Sequence, residues 1–566
     1  MDYKSYIEGA GFKSIDEFFK KFIMPSSVAI FLLVLVLMIF LKINPLFHFL
    51  ILIALLGLTF SYPLLKFEKK KVNIDEKIHY FITYAGTIST MGVDITALFK
   101  KIAQQKTFDE IAKTFNKMVY LARKWNFGYS KTLHTVSKFV PSKIFGNFID
   151  RLAISIDFGE NLSSFLENEQ EAVMSDYTTR YKENLEKIKS LQEIMTSMVM
   201  ALSFLLSISL MMPIIFGTPS EGIMQKIFVF LVFVDLILLA VVKFFIPSDY
   251  LCHNLKKKSN ERKSVQKYAR IIFPISITLF IFLYYIFKFE FILSFVISIF
   301  PLLMIGKKAQ DEDKAINERD KIYPQFIRSL GAATEVKKGD VSEATFSLLI
   351  HDFEILNENI KSFYRRLKLG NEKMKCWYHF EAETGSNLIQ NFSQIFAESI
   401  ILGGSGDKIG EIISKNFQKL NSLRTLRLQL VGGLRGALYG ALVGFVITAS
   451  VSLAIVGLLS DVFTSAMNEA QDSGATGMLN SILSVDETGM DMQISKFYLS
   501  LMVIVHSLIS AMVLKEGDGG SFWGILYDFV IMTTIGAVII LVIPIAMGSM
   551  FSNSGTEVIE FFRVLI

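Results

Sequence analysis

Cysteine is nearly absent. Cys252 and Cys376 are the only two in 566 residues, too few for a disulfide framework, and both fall on the side assigned below to the cytoplasm, where thiols stay reduced. The patterns on which catalysis and metal binding are built are missing too. There is no His-Glu-x-x-His, no paired-cysteine motif and no Gly-x-Ser-x-Gly. The run Gly403-Gly-Ser-Gly-Asp-Lys408 lacks the Gly-Lys-Ser/Thr ending of a phosphate loop, and no strand precedes it. No basic patch is interleaved with aromatics, which argues against nucleic acid. No stretch alternates strictly enough to be a strand. The chain therefore reads as a non-enzyme, with no catalytic, cofactor or metal site. No small-residue cleavage site precedes the first apolar run, so the N-terminus is expected to be retained.

What is present is apolar: 52% of residues are hydrophobic and 51 are Phe, beyond the range of an ordinary globular protein. Nine segments carry about 17 or more mostly apolar residues, the length a bilayer core demands. They lie near 25–43, 44–66, 191–216, 223–246, 270–287, 289–306, 430–460, 496–514 and 522–550. The expected fold is an all-α polytopic membrane protein with nine transmembrane helices and two helical-bundle cytoplasmic domains.

Charge sets the expected orientation. Lys4, Lys13, Lys20 and Lys21 precede span one, Lys66, Lys69, Lys70 and Lys71 follow span two, and seven cations lie between Lys256 and Arg270. Residues 461–495 carry six carboxylates and no Lys or Arg. The N-terminus is thus expected inside and the C-terminus outside. The net charge of +5 is a topology signal spread over the cytoplasmic faces.

In chain order, residues 1–24 form a cytoplasmic amphipathic segment, opened by the capping-box pattern Ser14-Ile-Asp-Glu17, with Phe18, Phe19 and Phe22 available to the interface. Hairpin 25–66 leads into a soluble insertion, 67–190, with helical periodicity and a second capping-box pattern at Thr107-Phe-Asp-Glu110. Spans 191–246 and a basic loop, 247–269, close the first unit. Hairpin 270–306 and insertion 307–429 follow, the latter broken at Gly339-Asp340 and Gly370-Asn371. Span 430–460, the acidic loop 461–495, spans 496–514 and 522–550 and a tail, 551–566, complete the chain.

The two units repeat. Gly159-Glu-Asn-Leu-Ser-Ser-Phe-Leu166 and Gly406-Asp-Lys-Ile-Gly-Glu-Ile-Ile413 share a pattern, each just ahead of a span, at an offset of 247; Phe81-Ile82 with Gly86 and Phe326-Ile327 with Gly331 agree at 245. Each unit adds an even number of spans, so the expectation is a parallel tandem repeat.

Several residues stand out within this frame. Gly432, Gly436, Gly440 and Gly444 recur every four residues on one face of span seven, which suits close packing on a neighbouring span or, alternatively, a partner's helix or a dimer seam. Asp235 lies mid-span, where an unpaired charge costs roughly 2.5 kcal/mol or more; Arg435 is its candidate partner, and either a structural pair or a functional group fits. His506 reads as a lone structural imidazole. The basic cluster Lys256, Lys257, Lys258, Arg262 and Lys263 is either topogenic or a contact surface for an acidic partner or anionic membrane lipid.

The Gly-[Glu/Asp]-x-[Leu/Ile]-x-x-[Phe/Ile]-[Leu/Ile] signature ahead of a span, carried twice, resembles the F-type platform domains of type II secretion and type IV pilus machines. The order hairpin, domain, span pair, repeated and closed by one extra span, is similar to the archaellum (archaeal flagellum) assembly-platform family; other archaeal pilus platforms share the layout. The resemblance covers residues 25–550. It implies a dimeric cell-membrane platform that binds a hexameric secretion ATPase at its cytoplasmic face and feeds filament subunits, archaellins or pilins, into a growing helix; in the archaellum the assembly also drives rotation. It maps Gly159 with Glu160, and Gly406 with Asp407, onto the family signature. A secondary transporter would also show a repeat, but not insertions of this size, and an intramembrane enzyme would need more than Asp235 and His506.

Overall fold

The computed structural model describes residues 15–28, 31, 45–124, 128–216, 221–246, 249–472 and 492–552. Most of the first expected span, the capping residue Ser14, the turn Thr218-Pro-Ser220, residues 473–491 of the acidic loop and the tail from 553 lie outside them. Among the described residues the chain is helical, with one isolated bridge between Cys252 and Ser386.

Helix α1 (Pro45–Ser89) is followed by α2 (Ile95–Gln104), α3 (Glu110–Lys124), α4 (Tyr129–Ser137), α5 (Lys143–Asp157) and α6 (Leu162–Phe216). Then come α7 (Glu221–Phe245), α8 (Asn260–Ile281), α9 (Phe291–Ile299) and α10 (Leu302–Val336). The rest are α11 (Val341–Leu348), α12 (Asn357–Lys368), α13 (Lys373–Thr384), α14 (Asn387–Ile401), α15 (Gly406–Asp472), α16 (Met492–Asp518) and α17 (Ile525–Ser552). Local chemistry explains many starts: the side chains of Asp94, Ser142, Ser259 and Asp340 each accept a hydrogen bond from a first-turn amide of α2, α5, α8 and α11. The break expected at Gly339-Asp340 is one of these starts. The capping box expected at Thr107 is not formed. Lys106–Phe108 make a 3₁₀ turn, and α3 starts after Asp109, held at φ 48° in the left-handed region that Asp tolerates.

Six helices among the described residues are long and apolar enough to cross a membrane, or seven if the pair Phe291–Ile299 and Leu302–Val336 is one span bent by 42°. The chain is a multi-pass membrane protein. The bend falls at Pro301, which has no N–H to continue the helix ladder. Helix α15 runs unbroken for 67 residues, so the acidic segment expected as loop from 461 is helical to Asp472.

The chain divides into two compact units, Met1–Thr179 with Glu398–Asn416, and Arg180–Ala397 with Phe417–Ile566. The segment Glu398–Asn416 thus groups with the first insertion and not with the remainder of 307–429. The first unit is centred on Phe81, whose ring lies 5.4 Å from Phe115, 5.6 Å from Phe145 and 5.4 Å from Phe148. All four are fully buried, each worth roughly 1.5–3 kcal/mol of apolar burial. In the second unit Phe363, Trp377, Phe380 and Phe396 form a comparable ring cluster. A membrane core there joins Ala269 and Ile272 of α8, Leu302 and Ile305 of α10, and Phe529 and Val530 of α17. Gly306 makes this contact possible: a Cβ there would lie 2.4 Å from the Tyr527 backbone nitrogen.

Candidate functional site

The signature glycine ends a helix. Gly159 (φ 67°) follows α5 in the left-handed conformation, and its amide and that of Glu160 donate back to Ile156 O and Ser155 O at 3.1 and 3.0 Å. Asn161 then caps α6 by accepting from the Ser163 amide. In the second signature these parts are played by other residues than the alignment at 247 implied. Gly403 (φ 88°) ends α14, the amides of Gly403 and Gly404 donate to Ile400 O and Ser399 O, and Ser405 precedes α15. Gly406, paired with Gly159 in the sequence comparison, is instead the first residue of α15 and buried. The geometric offset is 244, because a turn is anchored by the glycine that needs positive φ. Glu160 and Asp407 are both exposed. Glu160 accepts from Ser155 Oγ, and Asp407 lies in the first turn of α15, where the helix dipole favours a carboxylate.

Both signature segments converge on one helix of the first unit. From α6, Ser163 donates to Ser89 O, and the Gln170 amide lies where a Cβ on Gly86 would stand. From the second segment, Ser399 Oγ meets Thr87 Oγ1 at 2.9 Å, Asn416 Nδ2 donates to Thr83 Oγ1 at 2.9 Å and to Gln170 Oε1 at 3.3 Å, and Gln105 Nε2 donates to Glu398 and to Tyr84 OH. The face Thr83, Gly86, Thr87 of α1 therefore holds, by buried side-chain hydrogen bonds, two segments some 240 residues apart.

The second unit contains a junction that the sequence reading missed. Arg424 and Arg427, one turn apart on α15 just before its apolar stretch, are both nearly fully buried. Arg424 binds Asp249 through Nε at 3.0 Å and Nη2 at 2.6 Å, and Asp320 of α10 through Nη1 at 2.5 Å. Arg427 donates to the carbonyls of Gly517 and Glu516 at the end of α16 and to that of Asp249. Burial pushes the Asp320 carboxyl up to about 6 despite the pull of Arg424. The segment after Asp249 is threaded through the same place: Leu251 N donates to Gly519 O, His253 N to Gly385 O, and Asn387 N to Leu251 O. Asp313 completes it, accepting from the Ser521 amide at 3.0 and 3.2 Å. Its carboxyl is pushed up to about 7, first by burial and further by Glu312, against the Ser521 hydrogen bond. Two arginines at i and i+3 entering a span were a readable signal, because a charge there must find buried partners.

The basic loop is less free than its charge implied. Lys257 Nζ binds Glu383 at 3.3 Å and His379 at 2.9 Å, and Arg262 donates to His253 O. Lys256 and Lys263 are exposed and Lys258 half-buried. The suggested Asp235–Arg435 pair is not formed. Asp235 of α7 is bound by His506 Nδ1 of α16 at 2.9 Å, both 2% exposed, so His506 is not a lone imidazole. Its Nε2 has no protein partner among the described residues. Arg435 instead bridges Asp518 at 2.6 Å and Asp528 at 3.2 Å, and Tyr439 OH donates to Asp528. Gly432, Gly436, Gly440 and Gly444 all face outward, with no atom among the described residues within 4 Å of a Cβ built on any of them. The close-packed glycines of this unit are elsewhere: a Cβ on Gly536 would meet Val503 at 2.5 Å.

No group of three or more metal-ligating side chains occurs among the described residues. The family model for protein F of the type II secretion system matches residues 81–213, from α1 through α6. Over 548 residues the chain is 28% identical to flagella accessory protein J of Methanococcus voltae, covering 94% of this chain and 96% of that protein. The chain is thus similar, along nearly its whole length, to flagella accessory protein J. The corresponding protein of Methanocaldococcus jannaschii is 29% identical over 545 residues, covering 92% and 94%. No solved structure matches.

Proposed function

We propose that this relative of flagella accessory protein J is the membrane platform of an archaellum or type IV pilus-like machine. In this reading it couples a hexameric secretion ATPase on the cytoplasmic side to filament subunits in the membrane. Similarity along more than nine-tenths of the chain to two proteins of that name carries the reading. The secretion-family match leaves a non-motile pilus or secretion platform as the second form of the same function.

The platform has nine spans in a parallel tandem repeat, N-terminus inside and C-terminus outside, and works as a homodimer. Support for the repeat comes from the paired turns at Gly159 and Gly403 and from the matching burial of Phe81-Ile82 and Phe326-Ile327. Of the cluster Lys256, Lys257, Lys258, Arg262 and Lys263, Lys256, Lys258 and Lys263 are left to meet the ATPase, with Lys257 and Arg262 holding the loop in place. Gly159, Glu160, Gly406 and Asp407 lie at the turns that feed force into the two long helices, and the open glycine face receives a membrane helix of a partner. The deciding experiment deletes the gene and restores it with wild type or with Lys256→Glu/Lys258→Glu/Lys263→Glu. Deletion should abolish filaments, and the charge-reversed platform should capture less ATPase, with the deficit larger at low salt because exposed charges are screened beyond about 10 Å at 0.1 M. Filaments persisting after deletion sink the platform reading; capture indifferent to charge and salt sinks the role of the loop.

A further inference from the structure

We infer that the facing stretches Lys267–Arg270 of α8 and Lys307–Lys308 of α10 form a seat for the phosphate of an anionic phospholipid headgroup. These helices pack antiparallel, and Lys308 Nζ lies 3.7 Å from the centre of the Tyr268 ring, which sets their register. Lys267 and Arg270 on α8 and Lys307 on α10 are exposed within about a turn of that contact. None of the three has a carboxylate within ion-pair distance among the described residues, and Asp311, the one exposed carboxylate on this stretch of α10, pairs with none of them. Four cations thus stand at one level of the two helices, and among the described residues none of them is in an ion pair.

Their position selects a lipid over a soluble acidic partner. One residue beyond Arg270 the exposed face of α8 becomes apolar, with Ile271 53% and Ile275 50% exposed, and one turn from Lys307 the face of α10 does the same at Met304, 59% exposed. The cations stand at the level where hydrocarbon gives way to headgroups, and a phosphate there lies in the plane of the bilayer. Tyr268 beside Lys308 adds the amphipathic ring favoured at that depth. The inference does not depend on which filament, if any, the platform builds.

The test uses the full chain purified in detergent and titrated with dioleoylphosphatidylglycerol, dioleoylphosphatidylcholine or soluble glycerol phosphate, with thermal unfolding as the readout. Wild type should gain a saturable rise in Tm with phosphatidylglycerol alone. Lys267→Gln/Arg270→Gln/Lys307→Gln should need roughly tenfold more of that lipid for half the rise while keeping its Tm in phosphatidylcholine. Lys267→Arg/Lys307→Arg should keep the wild-type response. An undiminished response in the neutralised variant, or an equal rise with phosphatidylcholine or glycerol phosphate, overturns the inference. If the neutralised variant is already unstable in phosphatidylcholine, the charge-keeping variant decides: loss of its phosphatidylglycerol response overturns the inference, and retention supports it.

Discussion

Ser207 of α6 and Ser452 of α15 meet hydroxyl to hydroxyl at 2.5 Å, and they are 245 positions apart, the same offset that relates Phe81 to Phe326. In the proposed repeat, equivalent positions touch each other only near the axis that relates the two copies. The contact puts the α6 and α15 membrane stretches side by side. Replacing both by cysteine, with Cys252 and Cys376 changed to serine, should give an oxidant-dependent cross-link between the two peptides in mass spectrometry. The pair Ser209→Cys with Ser452→Cys should not. Equal yield from both pairs would remove the register.

Much of this fold was legible because the bilayer imposes a length on each apolar segment. Among the described residues, six of the nine expected apolar segments coincide with candidate spans, or seven if the bent pair is one span, and the breaks at Asp340 and Gly370 are marked by their own residues. The sites were less legible. Asp235 was recognised as needing a partner, but a side chain's partner is set by which helices pack, and α7 packs on α16, which brings His506 and not Arg435. The glycine spacing showed a smooth face without showing what covers it. Aligned letters pair Gly159 with Gly406, whereas positive φ, a property of the backbone, pairs it with Gly403.

Arg424 is the single side chain whose loss should most damage the second unit. Arg424→Met leaves Asp320 buried without its counter-charge, and breaking a buried pair costs about 3–5 kcal/mol. The pH dependence has a definite sign. The Asp320 carboxyl already sits above its ordinary value, at about 6, and without the arginine it rises further, so the folded variant holds its proton to higher pH. Stability of that kind is present at low pH and lost as pH rises through the folded value. The deficit of Arg424→Met against wild type should therefore be larger at pH 8 than at pH 5. Adding Asp320→Leu should recover part of it. A single variant within about 1 kcal/mol of wild type, at the small end of mutational effects, would show that the junction carries no stability.

Asp313 offers a second pH test at the same junction. Burial lifts its carboxyl to about 7, so its contribution to stability is complete below its unfolded value near 4 and is lost as pH rises through 7. Asp313→Asn keeps an oxygen for the Ser521 amide and removes the titration. The variant should match wild type near pH 5 and exceed it in Tm at pH 8. Parallel Tm curves across that range would show that Asp313 does not titrate there.

The last test concerns Gly440. Leucine is favourable in lipid, so Gly440→Leu should insert normally. Gly440 is exposed, and nothing among the described residues lies within 4 Å of an added Cβ, so the substitution is expected to be accepted by the chain itself. A partner helix on the glycine face would be pushed out and lose its dispersion contacts along the seam. Because α15 is continuous from Gly406 through this face, the same displacement would break the path by which movement of the signature turn reaches the partner. The expected result is normal membrane levels, unchanged Tm and retained ATPase capture, with no assembled filaments. Filaments at wild-type number and length would show that the face is lined only by lipid and would take the partner helix off span seven.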